Sequence, residues 1–129
     1  MAEYQSNPAS QGTRAASELQ GIARFTIHDG RLEEFKRLSA QCMEIVRTRD
    51  TGTLQYEIYF NNDQSECIVV ERYRNSDALI EHSAHIGELM AAIVTTGSVS
   101  GELLGEPSAE LRAKIAGSVV RLFTPYLSL

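Results

Sequence analysis

A chain of 129 residues, 43% hydrophobic and 22% charged, can build one globular core and is too short for two ordinary domains. Its 17 acidic and 12 basic residues leave a formal charge of −5, which argues against a non-specific nucleic-acid binder, because phosphate contacts demand a concentrated positive face. No apolar run approaches the roughly 20 residues that a membrane helix needs, so no membrane association is expected, and the opening MAEYQSNPAS has neither the basic start nor the apolar stretch of a secretory leader, so a cytoplasmic location is expected.

Residues 1–18 are polar, contain Pro8 and Gly12 and show no hydrophobic period, so they read as an N-terminal tail. From Leu19 to His28 apolar and polar residues alternate, with Ala23, Phe25 and Ile27 on one parity, as in a half-buried strand. Asp29-Gly30 predicts a turn. Leu32, Phe35, Leu38, Cys42, Ile45 and Val46 then recur at threes and fours, the stripe of a helix with Asp29 as its N-cap and Arg47 and Arg49 at its C-terminal end. After Asp50-Thr51-Gly52 breaks that helix, Thr53 to Phe60 and Glu66 to Tyr73 read as two strands of a hairpin turning at Asn61-Asn62-Asp63. Ser76 or Asn75 caps a second helix carrying Leu79, Ile80, His82, Ile86, Leu89, Met90 and Ile93, ending near Thr95-Thr96-Gly97. The following glycines and Pro107 predict a broken stretch and then a short helix from Ser108 to Ala116, and Val119 to Tyr126 reads as a last strand. Cys42 and Cys67 sit inside apolar patterns and read as core thiols.

The order β, α, β, β, α, β with a central hairpin predicts an α+β, ferredoxin-like split βαβ fold, an antiparallel sheet with two helices on one face. One domain over residues 19–129, with a C-terminal extension from about 97, is expected. The other sheet face would expose Tyr, Ile or Phe residues, and a second copy of the chain is the simplest cover for it.

Residues 50–85 resemble the antibiotic biosynthesis monooxygenase family, also described as cofactor-free quinol monooxygenases. The likeness lies in Gly52-Thr53-Leu54-x-Tyr56, Glu71-Arg72-Tyr73, Ser76-x-Ala78 and His82 nine residues after Tyr73. Weaker correspondence runs from Gly21 to about Ala92, and the last 35 or so residues resemble only members with an extended C-terminus. The resemblance implies a homodimer forming a dimeric α/β barrel, with a pocket in each subunit between sheet and helices. It implies oxidation of a planar phenol or hydroquinone to a quinone with O2, without metal or other cofactor. Relatives on this fold degrade haem and many have no assigned activity, so fold alone does not settle function.

His82 falls where many family members carry a helix histidine, and its ordinary pKa of about 6.5 suits it to accept a phenolic proton; a core histidine satisfied by one hydrogen bond is the alternative. Tyr73 stands where the family often has Trp, which this chain lacks. An aromatic there stacks on a planar substrate or completes the core. Of Tyr56 and Tyr59, which parity puts on opposite faces, only one can line a given pocket, and Tyr59 is assigned to the substrate site together with His85, one turn from His82, and Glu71. Cross-sheet or dimer-seam ion pairs are the other reading for Glu71, Glu57, Arg24 and Arg72. A metal is not expected, because His82 and His85 lack a third ligand and no HExxH is present. The competing functional reading is a non-catalytic dimeric module binding a small aromatic ligand.

Overall fold

The computed structural model describes residues 15–129, so most of the expected tail lies outside the described residues. The elements are β1 (Leu19–Ile27), α1 (Leu32–Arg49), β2 (Thr53–Phe60), β3 (Glu66–Tyr73), α2 (Ser76–Ile93), a single 3-10 turn (Val94–Thr96), β4 (Gly97–Leu104), α3 (Ala109–Ile115) and β5 (Val120–Phe123). They form one five-stranded sheet in the order β2-β3-β1-β4-β5, antiparallel except for the parallel β4–β5 pair. The α+β, ferredoxin-like expectation holds for the single chain.

Helix α1 buries Phe35, Leu38, Cys42 and Val46, the stripe its spacing predicts. Asp29 does not cap it. The N-cap is Arg31 and makes no side-chain cap bond; the helix begins at Leu32, three residues past Asp29 and beyond the turn at Gly30 with φ +81°. Helix α2 is capped as read, its Ala78 amide donating to Asn75 Oδ1 at 2.9 Å. Its buried residues Ala78, His82, Ile86 and Ile93 form a stripe against the sheet. Phe35 packs edge-on between Phe25 and Phe60, at centroid distances of 5.3 and 6.0 Å. A second cluster, Leu19, Leu103 and Leu111, holds α3 to the same face. No described helix is long and apolar enough to cross a membrane.

The strand completing the split βαβ unit is β4, not the segment 119–126 expected for that place. The glycines that read as breakers are what lets this strand pair with β1. A Cβ on Gly97 would lie 2.0 Å from the Thr26 carbonyl oxygen, and one on Gly101 2.9 Å from that of Ile22. The C-terminal strand exists as four residues, an addition beside β4 whose direction is parallel to it. On the open face of the sheet Ile22, Ile68, Val70 and Leu104 are half-buried among ion pairs, Arg24 with Glu102 at 3.2 Å and Arg72 with Glu18 at 3.3 Å.

Candidate active site

One row of paired residues crosses the covered face from Tyr56 on β2 through Glu71 on β3 and Gly21 on β1 to Leu103 on β4. Gly21 contributes no side chain, and a Cβ there would sit 3.4 Å from Glu71 Oε1, so the Glu71 carboxyl occupies the room it leaves. Ala23 and Gly101, paired with each other one step along, extend this shallow floor. Helix α2 passes above it with His82, Ile86 and Met90, while Leu111, Ile115 and Val120 close one side. The result is a cavity of about 600 Å³, mostly apolar, into which Glu71, Tyr73 and His82 face. That size and character suit a small organic molecule.

His82 is held from behind. Asp50, the residue ending α1, turns its carboxylate inward until the side chain is 1% exposed. Its Oδ2 lies 2.7 Å from His82 Nδ1 and accepts the Thr53 hydroxyl at 2.7 Å, and its Oδ1 lies 2.7 Å from His85 Nδ1. An ionised carboxylate only accepts, so both imidazoles present Nδ1–H to it and the Nε2 lone pair of neutral His82 is left for a proton. Burial alone would raise the Asp50 pKa, but hydrogen bonds from His85, Thr53 and His82 hold it below the usual carboxylate value. The His82 ring also packs at centroid distances of 5.5 Å from Tyr56 and 5.2 Å from Tyr73.

Glu71 has the opposite environment. Burial raises its pKa, against the smaller opposing effects of the Tyr73 hydroxyl, which donates to its Oε1, and of His82. The phenol of Tyr73 is itself pushed up, by burial first and then by Glu71. A carboxyl whose pKa is raised and a histidine–carboxylate pair thus stand side by side, the divergence that separates acid from base roles. Burial also pushes the Cys42 and Cys67 thiols up to about 11, so both are neutral core groups.

His82, Tyr73 and Glu71 therefore meet at the cavity, while His85 meets His82 only through Asp50. Tyr59 is elsewhere. It stands 54% exposed on the open face, its hydroxyl donating to Glu57 at 2.8 Å. The register places Tyr56 opposite Glu71 on the covered face, so Tyr56, and not Tyr59, is the strand tyrosine beside His82. Asp50 escaped the sequence reading, where it served only as a helix breaker. The available signal was the i, i+3 histidine pair, two rings on one helix face that need a common acceptor if covered. Among the described residues no group of three His, Cys, Asp or Glu side chains is arranged to hold a metal ion.

A family model described as antibiotic biosynthesis monooxygenase matches residues 21–92, a stretch containing Asp50, Glu71, Tyr73, His82 and His85. No curated protein matches the chain. Among solved structures, MupZ from Pseudomonas fluorescens is 24% identical with a TM-score of 0.77, covering 91% of this chain and 94% of its own. That span is too broad to omit the C-terminal extension. Rv0793 from Mycobacterium tuberculosis is 25% identical with a TM-score of 0.64, over 71% of this chain and 97% of its own. SnoaB, a cofactor-independent oxygenase from Streptomyces nogalater, is 20% identical with a TM-score of 0.62, over 73% and 97%.

Proposed function

The chain belongs to the antibiotic biosynthesis monooxygenase family, and from that premise we propose that it is a cofactor-independent monooxygenase oxidising a planar phenol or hydroquinone to a quinone with O2. Family membership supports monooxygenase-type chemistry. The observation that carries the substrate class is an apolar cavity into which His82, backed by Asp50, and the Tyr73–Glu71 pair face. His82 Nε2 takes the phenolic proton while Asp50 stabilises the imidazolium that forms. The phenolate, stripped of water by the cavity, is electron-rich enough to give an electron to O2 directly, and the protein's part is desolvation, orientation and proton management. For a phenol the balance is one O2 consumed, one oxygen atom entering the ring and the other leaving as water; for a hydroquinone O2 takes up the two electrons and two protons and leaves as hydrogen peroxide, with no oxygen atom entering the ring. His85 supports the pair through Asp50, and Tyr73 and Glu71 bind the substrate oxygen.

The working form in this reading is a cytoplasmic homodimer joined through the open sheet faces. The test is O2 uptake with a panel of naphthohydroquinones and polycyclic phenols, comparing wild type, His82→Ala and buffer. Uptake above autoxidation that falls at least tenfold in His82→Ala is expected. No uptake across the panel, with ligand bound and recovered unchanged, replaces this reading with a dimeric module for small aromatic ligands.

A further inference from the structure

We propose that Glu71 works as a neutral carboxylic acid, presented by Tyr73, that donates a hydrogen bond to an oxygen of the bound molecule and stabilises the negative charge which that oxygen acquires when its proton is lost. The substrate class is thereby narrowed to molecules whose oxygen becomes an oxyanion inside the cavity, such as phenols and enolisable ketones. The inference rests on the reading above only in naming His82 as the proton acceptor.

Glu71 differs from the carboxylates of the open sheet face in what surrounds it. Glu102 and Glu18 pair with arginines on the open face, and Glu57 accepts from Gln55 and Tyr59 in solvent. Among the described residues no Arg or Lys forms an ion pair with Glu71. Arg72, its neighbour in sequence, belongs to the opposite face of the sheet and binds Glu18 there. The titratable groups facing Glu71 are Tyr73 on its own strand, Tyr56 from β2, Cys42 from α1 and His82 from α2, with Asp50 behind His82, and Lys114 of α3 lines the same cavity without forming an ion pair with it. From β1 and β4 the same row brings only Gly21 and Leu103. A full negative charge here would have one hydroxyl donor and no ion-paired cation, with only the His82 ring and, elsewhere on the cavity wall, Lys114 to offset it, a costly arrangement in an apolar wall.

Protonation removes the charge and leaves one unmet need. With the Tyr73 hydroxyl donating to Oε1, the acid proton sits on Oε2, and among the described residues no acceptor is hydrogen-bonded to that oxygen. Glu71 lines the cavity, so the acceptor it lacks is supplied by a ligand oxygen. A carboxylic acid kept neutral at physiological pH is an effective donor to an oxyanion. No bond to Glu71 forms or breaks. The substrate O–H proton goes to His82 Nε2, and the acid keeps its own.

The experiment is anaerobic, so that it does not depend on oxygenation. Binding of 2-naphthol is titrated against pH, with its absorbance reporting the ionised form, in wild type, Glu71→Gln and Glu71→Leu. Gln is uncharged and keeps a donor; Leu keeps neither donor nor acceptor. Wild type and Glu71→Gln are expected to bind naphtholate with Kd values within about threefold, and Glu71→Leu about tenfold or more weaker, as befits one hydrogen bond to a charged group. A Glu71→Gln variant as weak as Glu71→Leu overturns the proposal, since an uncharged hydrogen-bond donor at this position would then not be what binds the anion. Equal binding by all three overturns it too. Infrared difference spectra supply a readout on the folded wild type itself: a protonated-carboxyl carbonyl band that shifts on naphthol binding and is missing in Glu71→Gln is expected, and a carboxylate band in its place refutes the assignment. Oxygen uptake unaffected by Glu71→Leu would defeat this inference and leave the oxygenase reading standing. Naphtholate binding as expected without any uptake would do the reverse.

Discussion

Two carboxyl groups, one in the cavity wall and one behind His82, are driven in opposite directions, and each makes a prediction at the level of a single side chain. Asp50 is held below its usual value by His85, Thr53 and His82 despite burial. Its ionisation therefore favours the folded state at neutral pH, and that contribution is lost as acid titrates it through the folded value. Asp50→Asn keeps the shape but replaces an acceptor-only group with one carrying donors, so one histidine must turn or change tautomer. We expect kcat to fall by about 100-fold with little change in KM, read by steady-state kinetics on whichever phenol proves active. An unchanged kcat would remove Asp50 from the machinery. Glu71 has the reverse sign. Its raised folded value means that its stabilising contribution is present below the unfolded value of about 4.3 and is lost as pH rises towards the folded one. Glu71→Gln carries no such liability, so its Tm relative to wild type should climb between pH 4 and pH 8 in differential scanning calorimetry. A difference that stays flat with pH would mean Glu71 is ionised in the folded protein.

At the level of elements, what the sequence made legible was whatever periodicity writes down. The alternation of β1, the three-and-four stripe of α1 and the hairpin of β2 and β3 were all readable, because each buries one face and repeats. Strand β4 was not, although Val99, Gly101 and Leu103 alternate with Ser98, Ser100 and Glu102, because glycine normally weakens a strand and marks a break. Its use here is close approach, which depends on the neighbour across the ladder and is invisible in one chain segment. The same limit hid Asp50: its partners are 32 and 35 residues away, and an aspartate at a helix end looks like a solvated cap from sequence. Tyr59 failed differently. Parity had separated it from Tyr56, and only the register with β3 decided which of the two faces the helices. Gly97 gives the element-scale prediction. Gly97→Ala places a Cβ against the Thr26 carbonyl oxygen with no flexible side chain to yield, and we expect a loss of about 3 kcal/mol in urea unfolding. A loss below about 0.5 kcal/mol would show that β4 can shift away from β1 at little cost.

For the whole molecule, the sheet divides the labour between its two faces. Helices α1, α2 and α3 cover one side, with α2 and α3 enclosing the cavity, while the other leaves Ile22, Ile68 and Val70 as a central apolar strip between the Arg24–Glu102 and Arg72–Glu18 pairs. An apolar centre with a polar, ion-paired rim is the usual anatomy of a protein interface. A two-fold pairing of like faces would cover the strip with itself and require no complementary partner. Because cavity and strip lie on opposite sides of one sheet, a charge introduced into the strip need not touch His82 or Glu71 directly. It acts by leaving an unpaired cation in a covered seam, which costs several kcal/mol per chain. Wild type is therefore expected to elute at twice the single-chain mass in light scattering and to melt at a temperature that rises with protein concentration. Val70→Lys should elute at the single-chain mass and lose that dependence while retaining the far-ultraviolet circular dichroism of the folded sheet. Wild type at the single-chain mass across the concentration range would sink the dimer. The open face would then need another cover, and Val70→Lys would become a nearly neutral surface change within about 0.5 kcal/mol.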